Sequence, residues 1–389
     1  MLDVAELVRL KAELLQHGVA PTAEFIRTYG PPYLFKRRAY GNADDLSFLQ
    51  TGLPQEIILA PGKVVVSATA KITSPWSMDF RDGKYLVIDK RSGREHVIDF
   101  PRAPAFYEQT TASGEAVNSL ITLYGGGSLG LFAYGNCALV DMKAACHYCS
   151  VGPNRSRQDE FAYAMSAQQV REALDVALSD HSCPVVQVML NGGNFRDVDK
   201  SFSHYVDLVE AARLAVDASG RNVELHLIVY PPYKLDLVER LEGLNVDIAM
   251  NTEVHDPELF AKYCPGKEEL GGQAHLNRGL DKAVSVLGPG HVFSIFVGGL
   301  EPLDSLYAGM RQAAERGAIP VINVLHADPE TPLAGHPEPK VDEVLAMGEA
   351  LESIYDEFSF CRSFYEGVGR NSLDHEAHLR LFRQLRDAS

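Results

Sequence analysis

The sequence predicts an α/β fold, a partial (β/α)6 TIM-like barrel preceded by a small α+β domain. From about residue 120 onward, near-continuous apolar runs alternate with segments of helical periodicity, which is typical of a parallel sheet covered by helices. Before that point, short β-branched runs separated by glycine-containing turns predict antiparallel hairpins. The 389 residues suffice for a barrel of about 250 residues and a smaller domain.

The first predicted region, residues 1–118, begins with two helices. Residues 3–17 carry apolar side chains at helical spacing, with Asp3 and Glu6 as a capping box and Gly18 as the stop. A shorter helix is predicted over Thr22–Thr28. Strand candidates follow at 56–60, 63–72, 85–89 and 96–100, with turns at Pro61-Gly62, Asp82-Gly83 and Ser92-Gly93.

The second predicted region, residues 119–335, repeats strand, loop and helix six times. Its strand candidates are Leu129–Tyr134, Val185–Leu190, Val223–Tyr230, Val246–Met250, Val292–Val297 and Val321–Leu325. Its helix candidates are 166–179, 203–218, 234–241, 274–286 and 303–316, with a sixth at 340–357 in the third predicted region, 336–389. A polar helical tail is predicted at about 373–385. Six such units give an incomplete relative of the eight-stranded barrel, whose active face lies at the carboxyl ends of the strands.

Charge and hydropathy limit the classes of partner. The 36 basic and 52 acidic residues argue against a nucleic-acid surface, which needs a basic footprint. The best local basic patch, Lys36, Arg37 and Arg38, is interpreted as a solvated loop. No run of about 18 apolar residues occurs, and the first ten residues lack the order of a secretory signal. We therefore expect a cytoplasmic protein without a membrane span.

Half of the six cysteines fall within thirteen residues, directly after the first barrel strand. Cys137, Cys146 and Cys149 have the spacing C-x8-C-x2-C. Three thiolates can hold three irons of a [4Fe–4S] cluster, whose usual protein ligand set is four, and so leave one iron open. The alternative is a zinc site, for which His147 would be the candidate fourth ligand.

Polar or glycine residues follow the other barrel strands as well, which is the pattern of a site at one edge of the sheet. In strand order they are Asn191-Gly192-Gly193-Asn194, Tyr230-Pro231-Pro232-Tyr233, Asn251-Thr252-Glu253, Gly298-Gly299-Leu300-Glu301 and His326-Ala327-Asp328.

The cysteine loop, the Gly-Gly after the second strand and the Gly-Gly-x-Glu after the fifth together resemble the radical S-adenosylmethionine (SAM) superfamily over roughly residues 125–335. The resemblance implies a [4Fe–4S] cluster held by Cys137, Cys146 and Cys149, with S-adenosyl-L-methionine at the open iron. It implies an enzyme that cleaves S-adenosylmethionine reductively and abstracts hydrogen from an organic substrate. The cofactor carries this chemistry, and the protein supplies orientation and exclusion of water.

The resemblance also implies cofactor-binding roles, residue by residue. Tyr148 would lie near adenine, and Gly192, Gly193 and Asn194 occupy the place of a Gly-Gly-Glu motif that binds the methionine amino group. Asn251 and Glu253 would contact the ribose, and Arg278 the methionine carboxylate. Gly298, Gly299 and Glu301 match an adenine motif. His326 is interpreted either as a substrate or ribose contact or as a strand-end polar group.

Residues 251–302 resemble more narrowly the biotin synthase and lipoyl synthase branch, through the segment 258–267 followed by Arg278. Two features depart from the pattern: the first cysteine gap is eight residues instead of three, and Asn194 replaces a glutamate. Cys183, Cys264 and Cys361 are interpreted as packing residues rather than ligands of a second cluster. Sulfur insertion is therefore the alternative activity, and a non-catalytic iron–sulfur or zinc scaffold is the alternative class.

The implied partners are a small-molecule or carrier-bound substrate and an electron donor such as flavodoxin or ferredoxin. The sequence leaves the substrate, the consumption or regeneration of S-adenosylmethionine, and the role of the N-terminal region open.

Overall fold

The computed structural model describes residues 4–34, 54, 56–59, 64–153, 164–328 and 330–387. The basic patch Lys36, Arg37 and Arg38, the capping residue Asp3 and the turn at Pro61-Gly62 lie outside these residues. The chain divides into two compact units, one of Met1–Ala103 with Ile322–Ser389 and one of Pro104–Val321. The C-terminal residues are thus grouped with the N-terminal ones, whereas the sequence predicted three consecutive regions.

The first unit contains helices Val4–His17 and Ala23–Thr28 and a six-stranded sheet of order β1-β4-β5-β6-β2-β3. The strands are β1 (Ala20–Pro21), β2 (Ile57–Leu59), β3 (Val64–Val66), β4 (Trp76–Arg81), β5 (Lys84–Asp89) and β6 (Glu95–Asp99). The predicted hairpins are present, with Asp82 and Gly83 at positive φ between β4 and β5. Strand β4 was missed, although Trp76, Met78 and Phe80 alternate with polar residues as in a strand with one covered face.

The C-terminal part of this unit contains helices Val341–Glu357, Asp374–His378 and Leu381–Asp387. The polar helical tail predicted at about 373–385 is present as two short helices, which are separated at Arg380, where φ is 60°. Several of its polar groups are buried with partners: Glu376 accepts a 2.8 Å hydrogen bond from Lys11 Nζ, and both side chains are 1% exposed.

The second unit contributes to a seven-stranded sheet of order β13-β12-β11-β10-β9-β8-β7. Its strands are β7 (Ile121–Tyr124), β8 (Ser128–Tyr134), β9 (Gln187–Gly192), β10 (Glu224–Ile228), β11 (Val246–Ala249), β12 (Val292–Gly298) and β13 (Ile319–Val324). Strands β8 to β12 pair in parallel with their sequence neighbours. This confirms the predicted mixed α/β fold with a barrel-like parallel sheet. Strand β7 was missed; it pairs antiparallel with β8.

Helices connect these strands, and they are Ala167–Ser179, Val198–Ser219, Pro257–Tyr263, Pro265–Glu269, Gly272–Leu287 and Leu303–Glu315. The helix predicted at 203–218 begins five residues earlier, because the Asp197 carboxylate caps it by accepting from the amides of Asp199 and Lys200. The segment predicted at 234–241 is a 3₁₀-helix, Leu235–Leu241. All seven residues of β12 are buried, as a parallel strand covered on both faces requires.

Among the described residues, no helix combines the length and the apolar character needed to cross a membrane.

Candidate active site at the carboxyl ends of the strands

The cysteine loop leaves the carboxyl end of β8. Cys137 precedes a short helix, Ala138–Asp141, and the loop start is held by a 2.9 Å hydrogen bond from Asn136 Nδ2 to Asp141 Oδ2. The second and third cysteines belong to one tight turn, in which the Cys149 amide donates to the Cys146 carbonyl at 3.0 Å. Cys146 is buried and the other two thiols are half-buried. The loop therefore presents three partly shielded sulfur atoms.

Burial raises the pKa of Cys137 and raises that of Cys149 to about 12, and the negative charge of Cys146 acts in the same direction on both. Backbone amides oppose this: Asn194 and Leu139 donate to the Cys137 sulfur, and Val151 donates to that of Cys149. Amide donors stabilise thiolates, and iron ligation requires thiolates. The loop backbone is thus arranged for sulfur atoms that carry negative charge.

Gly192 and Gly193 pack directly against the start of the cysteine loop. A Cβ at position 193 would overlap the Asn136 carbonyl oxygen and lie 2.6 Å from the Cys137 Cβ. The Ala138 amide donates to the Asn194 carbonyl at 2.8 Å, and the Gly193 amide donates to the Tyr134 carbonyl at 3.1 Å. Glycine is required here because any side chain would push the Gly-Gly segment away from the first cysteine.

A fourth cysteine, which the sequence interpretation treated as a packing residue, lies against the cysteine loop. The Cys264 thiol hydrogen-bonds Cys146, and its Sγ lies 3.9 Å from the Tyr148 hydroxyl. That hydrogen bond and the charge of Lys267 lower the pKa of Cys146 against the opposing effect of burial. The same hydrogen bond, together with burial, raises the pKa of Cys264 well above its usual range. Cys264 is accordingly the donor of this hydrogen bond and the Cys146 sulfur its acceptor.

Two backbone hydrogen bonds explain how residue 264 reaches residue 146. The His147 amide donates to the Tyr263 carbonyl at 2.8 Å, and the Gly266 amide donates to the Ala144 carbonyl at 3.0 Å. A Cβ at Gly266 would overlap the Ala144 carbonyl oxygen. The turn between helices Pro257–Tyr263 and Pro265–Glu269 is therefore docked on the cysteine loop.

A buried ion pair lies beside these thiols. Lys267 Nζ donates to Glu253 Oε1 at 2.5 Å, and the side chains are 12% and 8% exposed. Burial alone would lower the pKa of Lys267, but Glu253 and the neighbouring thiols Cys146 and Cys264 raise it. Lys267 therefore stays charged and offsets negative charge at the sulfur atoms, a role that the sequence interpretation missed.

Glu253 itself is held in an unusual backbone conformation after β11. Its φ is 66°, its amide donates to the Ile295 carbonyl at 2.9 Å, and its carbonyl accepts from the Val297 amide at 2.8 Å. A non-glycine residue in the left-handed region is uncommon and costs about 1 kcal/mol or more. Pairing with β12 on both sides holds this conformation, and the carboxylate faces Lys267 as a result.

The other predicted cofactor contacts of this unit differ in their surroundings. The Asn251 Oδ1 atom is buried without a hydrogen-bond partner, so a bound group could supply one. Arg278 is exposed on helix Gly272–Leu287, with Nη2 3.4 Å from His275 Nδ1. Gly298 closes β12, and Gly299 has a φ of 105°, which glycine alone adopts readily.

Glu301 has partners within the protein. Its carboxylate oxygens accept from the amides of His255 and Asp256 at 2.8 and 2.9 Å, and Ser305 Oγ donates to it at 2.6 Å. This arrangement gives Glu301 a structural role at the start of helix Pro257–Tyr263. His326 is half-buried and belongs to the first unit, whereas the cysteine loop belongs to the second.

The separation of the cysteines bears on the zinc alternative. Thiolates around one tetrahedral zinc ion lie roughly 3.8 Å apart, since each Zn–S bond is about 2.3 Å. The three Sγ atoms are not all within 4.8 Å of one another, and His147 brings no fourth atom into such a group; its ring packs edge-on against Tyr263, 6.3 Å between centroids. These residues therefore do not form the compact group of ligand atoms that a single zinc ion binds.

No protein-family model matches the chain. A curated relative, the bacteriochlorophyllide c C-7(1)-hydroxylase of Chlorobaculum limnaeum, is 27% identical over 137 residues, which are 34% of each protein. The chain thus spans about a third of the length of the curated relative that it matches.

Similar solved structures include a radical SAM methyltransferase from Sphaerobacter thermophilus, with 13% identity, a TM-score of 0.43, and coverage of 73% of this chain and 76% of that one. The cobalamin-dependent S-adenosylmethionine radical enzyme OxsB, with a TM-score of 0.35 and 13% identity, covers 78% of this chain and 41% of its own. Both of these structures are radical SAM enzymes by their descriptions.

Proposed function

We propose that the chain is a radical S-adenosylmethionine enzyme whose [4Fe–4S] cluster is held by Cys137, Cys146 and Cys149. The observation that carries the proposal is the C-x8-C-x2-C loop at the carboxyl end of β8. Backbone amides donate hydrogen bonds to the sulfur atoms of its first and third cysteines. When bound, the reduced cluster and S-adenosylmethionine supply reductive cleavage of the sulfonium, which gives a 5′-deoxyadenosyl radical able to take hydrogen from a substrate.

The chain's own residues fit this cofactor pair. Three thiols leave a fourth position open for a non-protein ligand. Gly192 and Gly193 let the backbone after β9 pack against the start of the cysteine loop, next to Cys137. The buried Asn251 Oδ1 atom provides a polar group for the nucleoside part, and the Tyr148 ring would lie near the adenine. Burial of Cys146 excludes water from one side of the site.

Charge supports the same assignment. Each thiolate that binds iron brings negative charge into a partly buried site, which is costly without compensation. Lys267 stays protonated beside Cys146, and the hydrogen bonds from Cys264 and Tyr148 also lower the pKa of that thiol. We propose that these three residues hold Cys146 as a thiolate and tune the cluster, although they are not its ligands.

The proposal keeps Glu253 as a ribose contact and Arg278 as a contact of the methionine carboxylate, and the structure limits how each could act. Glu253 orients Lys267 through their ion pair, so a ribose contact would require its second carboxylate oxygen. Arg278 is exposed on helix Gly272–Leu287, so it would bind the carboxylate from the solvent side of that helix. We expect a flavodoxin or ferredoxin as the electron donor. Because of the partial match to the hydroxylase, bacteriochlorophyllide c is a compound to test as substrate.

Anaerobic reconstitution followed by dithionite and S-adenosylmethionine tests the function. The wild-type protein should bind four irons per chain and release 5′-deoxyadenosine, and a Cys146→Ala variant should release none. Cys183→Ala is the matched control, since Cys183 is another buried cysteine of the same unit, in the loop before β9. A Cys146→Ala protein that forms 5′-deoxyadenosine at the normal rate would contradict the proposal. Cluster binding without any cleavage would instead indicate a scaffold.

A further inference from the structure

A second cluster of metal-ligand side chains lies at the opposite edge of the same sheet, where the parallel strands begin. Glu224 and His226 are two residues apart on β10 and so project from the same face. Asp247 is the register partner of His226 on β11, and His291 directly precedes β12. Three neighbouring strands therefore bring two carboxylates and two imidazoles together at their amino-terminal ends. The cysteine site lies at the opposite, carboxyl ends of the strands.

The geometry of this cluster is compact. His226 Nε2 lies 3.0 Å from Glu224 Oε2 and 3.5 Å from Asp247 Oδ2. One ligand atom from each of these three residues lies within 4.8 Å of the others. A zinc ion with bonds of about 2.0–2.2 Å to nitrogen and oxygen places tetrahedral ligand atoms roughly 3.3–3.6 Å apart. The observed separations are already close to those of a bound ion.

His291 has a separate role in the same cluster. Its Nδ1 lies 2.9 Å from Asp247 Oδ1, while the other oxygen, Oδ2, faces His226. One oxygen of Asp247, Oδ1, thus interacts with His291, and the other, Oδ2, faces the Nε2 atom of His226. Ligating carboxylates in metal sites are commonly held by such hydrogen bonds, which fix their orientation.

Burial and charge favour a cation at this place. His226 is 0% exposed and Asp247 is 5% exposed, whereas the Glu224 and His291 side chains are 46% and 51% exposed, so the cluster is open to solvent on one side. A proton on His226 would supply one positive charge against two carboxylates. A divalent cation with a neutral imidazole would balance both carboxylates, and the open side leaves room for a water ligand.

The geometry points to a divalent-metal site of zinc type, ligated by His226 Nε2 and by one carboxylate oxygen each of Glu224 and Asp247, with His291 as the residue that positions Asp247. Because the ligands come from two adjacent strands and their support from a third, a bound ion would tie the three strands together. The amino-terminal face of a barrel contributes to stability rather than to catalysis, so we assign the ion a structural role.

Cobalt(II) titration of the cluster-loaded protein, watched by absorption, tests this site. In the difference spectrum against the cluster-loaded protein without cobalt, we expect one equivalent to bind without the sulfur-to-cobalt charge-transfer band that cysteine ligands would add. Glu224→Gln and His226→Gln should each weaken binding at least tenfold, and His291→Ala should weaken it 10- to 100-fold, the range found for such supporting residues. Asp236→Asn, which removes a carboxylate that is 94% exposed, should leave affinity unchanged.

The proposal is overturned if the cluster-loaded protein binds no cobalt, if the bound cobalt shows the thiolate band, or if affinity is the same in Glu224→Gln. The last variant keeps the test valid should His226→Gln fail to fold, because the half-exposed Glu224 side chain can be replaced without opening a cavity. Zinc competition against the bound cobalt gives a second readout. None of these measurements depends on turnover of S-adenosylmethionine.

Discussion

Replacing Gly193 by alanine tests the contact between the Gly-Gly segment and the cysteine loop. A Cβ there would overlap the Asn136 carbonyl oxygen and lie 2.6 Å from the Cys137 Cβ, so the two segments must separate. Overpacking of this kind costs about 1–3 kcal/mol, and the 2.8 Å hydrogen bond from Ala138 to Asn194 that spans the same contact is worth about 0.5–1.5 kcal/mol. We therefore expect a loss of about 2–4 kcal/mol in the free energy of unfolding.

The same displacement moves the Asn194 amide away from the Cys137 sulfur, to which it donates. Urea unfolding, iron content after reconstitution and the rate of 5′-deoxyadenosine release should all decline in Gly193→Ala. Gly30→Ala is the control, because nothing lies within 4 Å of a Cβ at that position. A Gly193→Ala protein with normal stability, full iron content and the normal rate would refute the reasoning.

Three further predictions concern the surroundings of the thiols and the metal site. Cys264→Ala removes the hydrogen-bond donor to Cys146, so the reduction potential of the cluster should fall by roughly 40 mV, the equivalent of about 1 kcal/mol for one electron. Cys264→Ser keeps a donor and should restore much of the lost potential. A potentiometric titration followed by electron paramagnetic resonance (EPR) measures both variants. Glu253→Gln leaves the Lys267 charge buried without its partner and should destabilise the protein by about 3–5 kcal/mol in urea unfolding, whereas Glu239→Gln, at an exposed pair, should cost about 1 kcal/mol or less. Zinc at 100 times its Kd should stabilise the protein by about 2.7 kcal/mol, seen as a rise in Tm that chelation abolishes, and a tenfold weaker site in Glu224→Gln should reduce this stabilisation to about 1.4 kcal/mol.

Much of the architecture follows from local patterns in the sequence. The apolar runs predicted β8 to β13, because strands buried on both faces cannot carry many polar residues. The observed helix ends differ from the predicted ones where a single side chain sets them. Asp197 caps a helix that periodicity alone would start five residues later. Strand β7 escaped notice because it is an antiparallel partner of β8, and no alternation of strand and helix indicates it.

The site was only partly predictable. The cysteine triad and the Gly-Gly segment are visible as motifs, and Gly193 has the close approach that a glycine there suggests. Cys264 and Lys267 lie more than a hundred residues beyond Cys146 in the chain, and single cysteines and lysines are usually packing or surface residues. The segment 258–267 did carry a signal, since it matched the order of one enzyme branch, but its contact with the cysteine loop depends on tertiary hydrogen bonds such as that from Gly266 to Ala144. The metal-ligand cluster of Glu224, His226 and Asp247 depends in the same way on strand register.

The central claim is that three cysteines hold a cluster whose open iron binds S-adenosylmethionine. The most direct test is the EPR spectrum of the dithionite-reduced, reconstituted protein before and after S-adenosylmethionine is added. We predict a cluster signal whose g values shift on addition, as expected when a new ligand reaches one iron, and no such signal in Cys146→Ala. An unchanged spectrum with S-adenosylmethionine, or a protein that assembles no four-iron cluster at all, would contradict the account.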